Sequence, residues 1–136
     1  MIIGLGNDIM DVARVRRQLE SAAPAFREQT FSPLEIGYCE GKRYPARHYA
    51  ARFAAKEAFF KALGTGLASG FTWRDVEVRV GAEGRPELAL SGASLRAAQQ
   101  RGVVNTFLSL THTADLAMAS VVLEGHSTPA ANEVQP

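Results

Sequence analysis

The amino-acid sequence predicts an α+β fold, a small single domain in which an antiparallel sheet packs against a long central helix. Three observations lead to this prediction. The chain has 136 residues, of which 46% are hydrophobic and 21% charged, and this suits one domain with a sizeable core. A long run of strong helix formers occupies residues 48–63. Segments that alternate apolar and polar residues follow this run, and such alternation indicates strands.

The first 22 residues predict a strand and then a helix. Residues 2–8 are mostly apolar and carry two glycines, which is typical of a short buried strand whose backbone is approached closely by another element. This strand is expected to end on Asp8. Asp11 is then expected to cap a helix over residues 12–22, because its carboxylate can accept the free N–H groups at a helix start.

A second helix start follows a short helical turn at residues 26–31. Ser32 suits the N-cap, Pro33 the first helical position and Glu35 the third, and together they form a capping box. The pattern explains Glu35 by a structural role, so no chemistry is assigned to it.

The central helix is predicted over residues 48–63, after a loop at 42–45. Alanine, leucine, lysine and glutamate dominate its second half, and no proline interrupts it. Gly64 and Gly66 are expected to end it, because glycine readily adopts the left-handed conformation that closes helices.

Charged side chains interrupt the apolar face of this helix. Glu57 lies between Phe53 and Phe60 at helical spacing, and Lys61 follows Glu57 by about one turn. Two interpretations are open at this point. One is an ordinary surface ion pair between Glu57 and Lys61. The other is a carboxylate and an ammonium at the edge of the core, placed to meet a metal ion and a phosphate.

The second half of the chain predicts mainly strands, followed by a tail. The expected elements are a strand at 72–80, a turn at 81–86, a strand at 87–90, a helix at 92–101, and strands at 103–110 and 116–124 joined by residues 111–115. The domain is therefore expected to span residues 1–124. Residues 125–136 are rich in small and polar residues and are expected to form a disordered tail.

The composition argues against several broad classes of protein. The net charge of +1 argues against a general nucleic-acid binder, and no apolar run reaches the length of a membrane span. Residues 1–61 hold ten Lys and Arg against seven Asp and Glu, a modest bias that suits phosphates or an acidic protein partner. Cys39 is the single cysteine, so no disulfide can form within the chain. With no recognisable signal peptide, these features predict a cytoplasmic protein.

Side chains suited to metal and phosphate chemistry fall in three places. Asp8 lies at the predicted strand end, Glu57 on the central helix, and His112 in the connection between the last two strands. Two carboxylates from separate elements suit Mg²⁺, because this ion keeps several waters and takes one or two protein carboxylates plus substrate phosphates. Lys61 and the Gly64-Thr65-Gly66 turn would then lie near those phosphates.

Five short segments form a recognisable series along the chain: Gly4–Ile9 followed by Arg14, Phe31–Glu35 with Tyr38 and Cys39, Arg52–Ala58 continuing to Lys61–Gly66, Gly84–Pro86, and Ser109–Thr113. In this order they resemble the holo-acyl-carrier-protein synthase family, from residue 2 to about residue 124. Asp11 stands where the family usually has Glu, and Thr111 where it usually has Ser. Both substitutions keep the side-chain chemistry.

The resemblance implies a 4′-phosphopantetheinyl transferase fold and a Mg²⁺-dependent enzyme. Such an enzyme moves 4′-phosphopantetheine from coenzyme A to a serine of apo-acyl-carrier protein and releases adenosine 3′,5′-bisphosphate. This reaction serves fatty acid biosynthesis and lipid metabolism, and a fatty-acid or a polyketide carrier protein fits equally. The family is homotrimeric, with each active site shared between neighbouring subunits.

Site roles carry over by position from the same resemblance. Asp8, Glu57 and Lys61 would be the catalytic residues, with Asp8 and Glu57 holding the metal. The serine proton would pass to Glu57 or to a water on the metal. Coenzyme A would be contacted by Lys61, Gly64, Thr65, Gly66, Arg85, Pro86 and His112. The acidic carrier protein would meet Arg14, together with Arg16 and Arg17.

Three other functions fit parts of the pattern. A Mg²⁺-dependent phosphotransferase that uses a different nucleotide would be active without a carrier protein. A non-catalytic trimeric binding module would keep the fold without turnover, although the presence of Asp8, Glu57 and Lys61 argues against it. A basic docking module would depend on the arginines of the first helix alone.

Overall fold

The computed structural model describes residues 1–21, 25–65 and 70–126 and shows the predicted α+β architecture. In chain order the described elements are β1 (Ile2–Asp11), α1 (Val12–Ser21), α2 (Ala25–Thr30), α3 (Pro33–Glu40), α4 (Pro45–Leu63), β2 (Val76–Val80), β3 (Pro86–Leu90), α5 (Gly92–Gln100), β4 (Val103–His112) and β5 (Leu116–Gly125). Single 3₁₀ turns at Trp73–Asp75 and Ala82–Gly84 flank β2.

The strands form two antiparallel sheets. One has the order β1-β5-β4, and the other is the β2-β3 hairpin. Asp8 pairs with Ala119 in the middle of the β1-β5 ladder, and the pairing continues to Asp11 opposite Leu116. The prediction that the strand ends on Asp8 is therefore wrong, because β5 supplies partners for three further residues. His112 is likewise the last residue of β4 and pairs with Ala117, so it lies in a strand and not in the connection.

Helix α4 lies directly on the three-stranded sheet because two glycines of β1 let it approach. A Cβ atom at Gly4 would collide with the carbonyl of Ala62, and one at Gly6 with the carbonyl of Ala58. The close approach that the glycines of this strand predict is confirmed. It places the inward face of β1, which also carries Asp8, against the second half of α4.

The ends of α4 follow local sequence rules. The helix begins at Pro45, three residues before the predicted start, because proline suits the first helical position. At the other end Gly64 adopts a left-handed conformation with φ 85°, and its N–H donates to the carbonyls of Phe60 and Lys61 at 3.1 Å. Gly66, the second predicted stop residue, lies outside the described residues.

The predicted caps of the shorter helices are confirmed. The Asp11 carboxylate accepts the N–H groups of Ala13 at 2.9 Å and Arg14 at 3.3 Å, at the start of α1. Ser32 and Glu35 form the reciprocal capping box of α3, with distances of 3.2 and 2.9 Å. Both caps satisfy backbone N–H groups that the helix itself leaves free.

The C-terminal end of the described chain is tied to the sheet. β5 runs to Gly125, whose N–H donates to the Met1 carbonyl at 2.9 Å, and the His126 N–H donates to the Gly102 carbonyl at 2.9 Å. Residues 127–136, most of the predicted tail, lie outside the described residues. Within the part that is described, no helix combines the length and apolar character needed to cross a membrane.

The contact between β1 and α4 generates a test. Gly6→Ala should lower the free energy of unfolding by about 2–3 kcal/mol, because the added methyl group forces the backbones of β1 and α4 apart. The control is Gly37→Ala in α3, where a Cβ would meet nothing within 4 Å. That change should be neutral or stabilise by up to about 1 kcal/mol. Urea unfolding measures the free energy of unfolding of both variants. Equal effects of the two substitutions would contradict the close contact between β1 and α4.

Candidate active site

Asp8 and Lys61 meet where the inward face of β1 contacts α4. The Lys61 ammonium donates to Asp8 Oδ1 at 2.9 Å and to the Asn7 carbonyl at 3.2 Å. The Asp8 side chain is 13% exposed, whereas that of Lys61 is 55% exposed. The carboxylate is therefore held in place by the fold, and the lysine reaches it from solvent.

Glu57 lies beside this pair, one turn before Lys61 on α4, and is half-buried. Burial raises the pKa of Glu57, the negative charge of Asp8 raises it further, and Lys61 opposes the shift. The interpretation of Glu57 and Lys61 as an i,i+4 surface ion pair is wrong, because the lysine bonds to Asp8 on another element. The three residues form one acidic site with an exposed ammonium at its edge.

The donor set of this site fits a hard divalent cation. Asp8 Oδ2 is buried and has no hydrogen-bond partner, although a buried carboxylate oxygen normally has one. The carboxylate of Glu57 adds a second oxygen donor group. In the described part of the chain no group of three or more His, Cys, Asp or Glu side chains gathers. Mg²⁺ commonly takes only one or two protein carboxylates.

His112 belongs to a second group, at the other end of α4. Its ring lies 5.0 Å from that of His48, which in turn lies 5.9 Å from the ring of Tyr38. Burial lowers the pKa of His48 to about 4, and the charge of His112 acts in the same direction. His48 lies nine residues before Glu57 on α4, or about 14 Å along the axis at 1.5 Å per residue. Within one chain, His112 is thus apart from the acidic site.

A small cavity of about 190 Å³ adjoins this histidine pair. Pro86, one of the predicted coenzyme A contacts, lines it together with His112. Arg52 also lines it, with its guanidinium 4.0 Å from the Tyr38 ring and a buried Nε that has no hydrogen-bond partner. Arg85 and Pro86 line a larger cleft of about 740 Å³ between β3 and β4. The second group therefore surrounds a small cavity, and one of its members, Arg52, has a guanidinium nitrogen without a hydrogen-bond partner.

Comparison with known proteins identifies the family. The model of the 4′-phosphopantetheinyl transferase superfamily matches residues 4–121. The chain belongs to this superfamily. It is 48% identical over 123 residues to the holo-[acyl-carrier-protein] synthase of Syntrophotalea carbinolica, a match that covers 90% of this chain and 96% of the relative.

Solved structures of the superfamily share the fold. The holo-[acyl-carrier-protein] synthase of Neisseria meningitidis superposes with a TM-score of 0.83 at 33% identity, covering 91% of this chain and 99% of that one. The Helicobacter pylori synthase, solved in complex with coenzyme A, gives a TM-score of 0.77 at 28% identity, covering 88% and 99%. The predicted fold class and the family resemblance are confirmed.

The three arginines of α1 in this phosphopantetheinyl transferase do not share one surface. Arg14, Arg16 and Arg17 are all exposed. Arg16 lines a cavity of about 300 Å³ that Arg27 and Glu40 also line. Arg14 and Arg17, three residues apart, lie on neighbouring positions of the helix, whereas Arg16 projects from a different side.

A buried ion pair is the main feature that the sequence did not reveal. The Lys56 ammonium and the Glu35 carboxylate are both fully buried and lie 2.8 Å apart. The sequence pattern explains Glu35 as a capping residue alone and gives Lys56 no role. A lysine within an alanine- and phenylalanine-rich run was the available signal, but its partner lies 21 residues away and follows no local spacing.

Cys39 is a core residue. Its side chain is fully buried, and burial raises the pKa of the thiol to about 12. A thiol with so high a pKa has almost no thiolate near neutral pH, so Cys39 is not a nucleophile.

Proposed function

We propose that this chain transfers the 4′-phosphopantetheine group from coenzyme A to a serine hydroxyl of apo-acyl-carrier protein, leaving adenosine 3′,5′-bisphosphate. The observation that carries the proposal is the group of Asp8, Glu57 and Lys61, in which two carboxylates and one ammonium converge between β1 and α4. The named relatives are holo-[acyl-carrier-protein] synthases, and the similar Helicobacter pylori structure contains coenzyme A.

Asp8 and Glu57 would hold Mg²⁺. The unpartnered Asp8 Oδ2 supports this assignment, because a cation would satisfy it. When bound, the ion would neutralise charge on the pyrophosphate of coenzyme A. Lys61, more than half exposed, would reach the same phosphates as a point charge and stabilise the charge that develops on the leaving group.

The serine hydroxyl must lose its proton as it attacks the phosphorus atom. Glu57 would accept it through a carboxylate oxygen that the ion leaves free.

We further propose a homotrimer in which the second group, around His112, completes the site of a neighbouring subunit. The separation of His112 from Glu57 along α4 supports this arrangement. So does the outer face of the three-stranded sheet, where Leu5, Ile9 and Phe107 are 62%, 60% and 53% exposed. An exposed apolar surface of this kind is typical of an interface. Arg52 would supply positive charge for an anionic part of coenzyme A, and Arg85 and Pro86 would line its binding groove.

The carrier protein would dock on α1. Arg14 and Arg17 are exposed there and suit an acidic surface, whereas Arg16 is assigned to the neighbouring cavity. Among the remaining predicted coenzyme A contacts, Gly64 and Thr65 directly follow the end of α4, and Gly66 lies outside the described residues. We place the reaction in the cytoplasm and in fatty acid biosynthesis, in line with the lone cysteine and the family's chemistry.

The transfer reaction is tested by mass spectrometry. Apo-carrier protein incubated with this protein, coenzyme A and Mg²⁺ should gain the mass of one phosphopantetheine group, and chelation of the metal should abolish the gain. Asp8→Asn and Glu57→Gln should each lower the rate about 100-fold or more while the thermal unfolding curve stays close to that of the wild type. Turnover of a nucleotide in the absence of any carrier protein, with no mass gain, would contradict the proposal.

The docking surface is tested by charge reversal. Arg14→Glu should raise the KM for carrier protein about tenfold and leave the KM for coenzyme A within about twofold, because long-range attraction to the acidic partner is lost. Arg96→Glu on α5, also an exposed helical arginine, is the matched control and should change neither constant. Equal rises in both KM values for Arg14→Glu would contradict a carrier-specific surface.

A further inference from the structure

The Lys61 ammonium is bonded to Asp8, one of the two carboxylates that would hold a divalent cation. It lies 2.9 Å from Asp8 Oδ1 and 3.2 Å from the Asn7 carbonyl, and both of these acceptors are on β1. The other oxygen of the same carboxylate, Oδ2, is buried and has no partner. Asp8 therefore presents one oxygen that a side-chain cation already neutralises and one that is still unsatisfied.

We propose that Lys61 is a placeholder for the divalent cation: it holds the Asp8 carboxylate while the metal is absent and must leave Asp8 for the metal to bind fully. The inference rests on the proposed function, since it concerns the same metal site. It gives Lys61 a role before chemistry begins, in addition to its contact with phosphate.

Electrostatics favours this competition between Lys61 and the divalent ion. Without a cation, Asp8 and Glu57 are two carboxylates that repel each other, and the ammonium relieves this repulsion. A divalent ion bound to the same carboxylate would lie within a few ångströms of the ammonium, and these like charges repel. Lys61 can withdraw because its side chain is 55% exposed and carries a flexible four-carbon stem.

Phosphate gives the displaced ammonium a new partner. When a pyrophosphate enters beside the metal, Lys61 can move from Asp8 to a phosphate oxygen and so vacate the carboxylate. Metal and coenzyme A would then favour each other's binding through this one side chain, and by linkage the coupling is reciprocal. Free protein would bind the metal more weakly than its two carboxylates alone would allow.

The test measures the affinity for Mn²⁺ alone, with no coenzyme A present, by following free Mn²⁺ with electron paramagnetic resonance. Mn²⁺ is the probe because it shares the oxygen-ligand preference of Mg²⁺. Lys61→Met should bind Mn²⁺ about three- to tenfold more tightly than the wild type, a larger gain than the loss of a distant charge would give. Lys61→Arg keeps the charge, so its affinity for Mn²⁺ should stay within about twofold of that of the wild type.

Arg96→Met is the matched control. Arg96 is also exposed, and it lies on α5, outside both groups of side chains. The substitution removes the same net charge and should leave the Mn²⁺ affinity within about twofold. Thermal unfolding confirms that each variant is folded before titration.

Two results would overturn the inference. If Lys61→Met binds Mn²⁺ as tightly as the wild type or more weakly, Lys61 does not compete with the metal. In that case the transfer assay would still report on the proposed function separately. If no variant binds Mn²⁺ at all, the inference is wrong together with the assignment of the metal to Asp8 and Glu57.

Discussion

The buried ion pair between Glu35 and Lys56 is the interaction on which the rest of the structure depends. The Lys56 ammonium donates to Glu35 at 2.8 Å and to the carbonyls of Trp73 and Val76 at 3.0 and 2.6 Å. The other Glu35 oxygen accepts the Val78 N–H at 2.8 Å. Burial lowers the pKa of Lys56 and the Glu35 charge opposes it, and such a pair is tolerated because its polar atoms are satisfied. One pair thus joins α3, α4 and β2.

This pair sets the rotation of α4, and that rotation builds the site. A helix buried on nearly all sides has no single apolar stripe to orient it. With Lys56 directed to Glu35, the next residue, Glu57, is turned by about 100° around the helix, to the side where the charge of Asp8 acts on it. The glycines of β1 bring that strand close enough for Lys61 to reach the same carboxylate. The acidic site therefore follows from a polar contact on another side of the helix.

Local patterns in the sequence predicted most of the fold. They also singled out Asp8, Glu57 and Lys61, which the structure brings together and whose catalytic roles stay predictions. Capping residues and the left-handed Gly64 act on backbone that is near them in sequence, so their spacing reveals them. The glycines of β1 predicted a close approach of backbone, but not that α4 is the element that approaches. The strand ends were harder to predict, because pairing with β5 decides how far β1 runs past Asp8. The Lys56 partner and the contact of His48 with His112 were not predictable, since both join residues far apart in sequence through packing alone.

The free energy of unfolding of Lys56→Met, measured in urea against Lys42→Met, tests this account most directly. Removing Lys56 leaves the Glu35 charge buried without its partner, so Lys56→Met should lower the free energy of unfolding by about 3–5 kcal/mol. Because Lys42 is exposed, Lys42→Met should change the free energy of unfolding by no more than about 0.5 kcal/mol. A loss below about 1 kcal/mol for Lys56→Met would contradict the claim that this pair holds α4 in place.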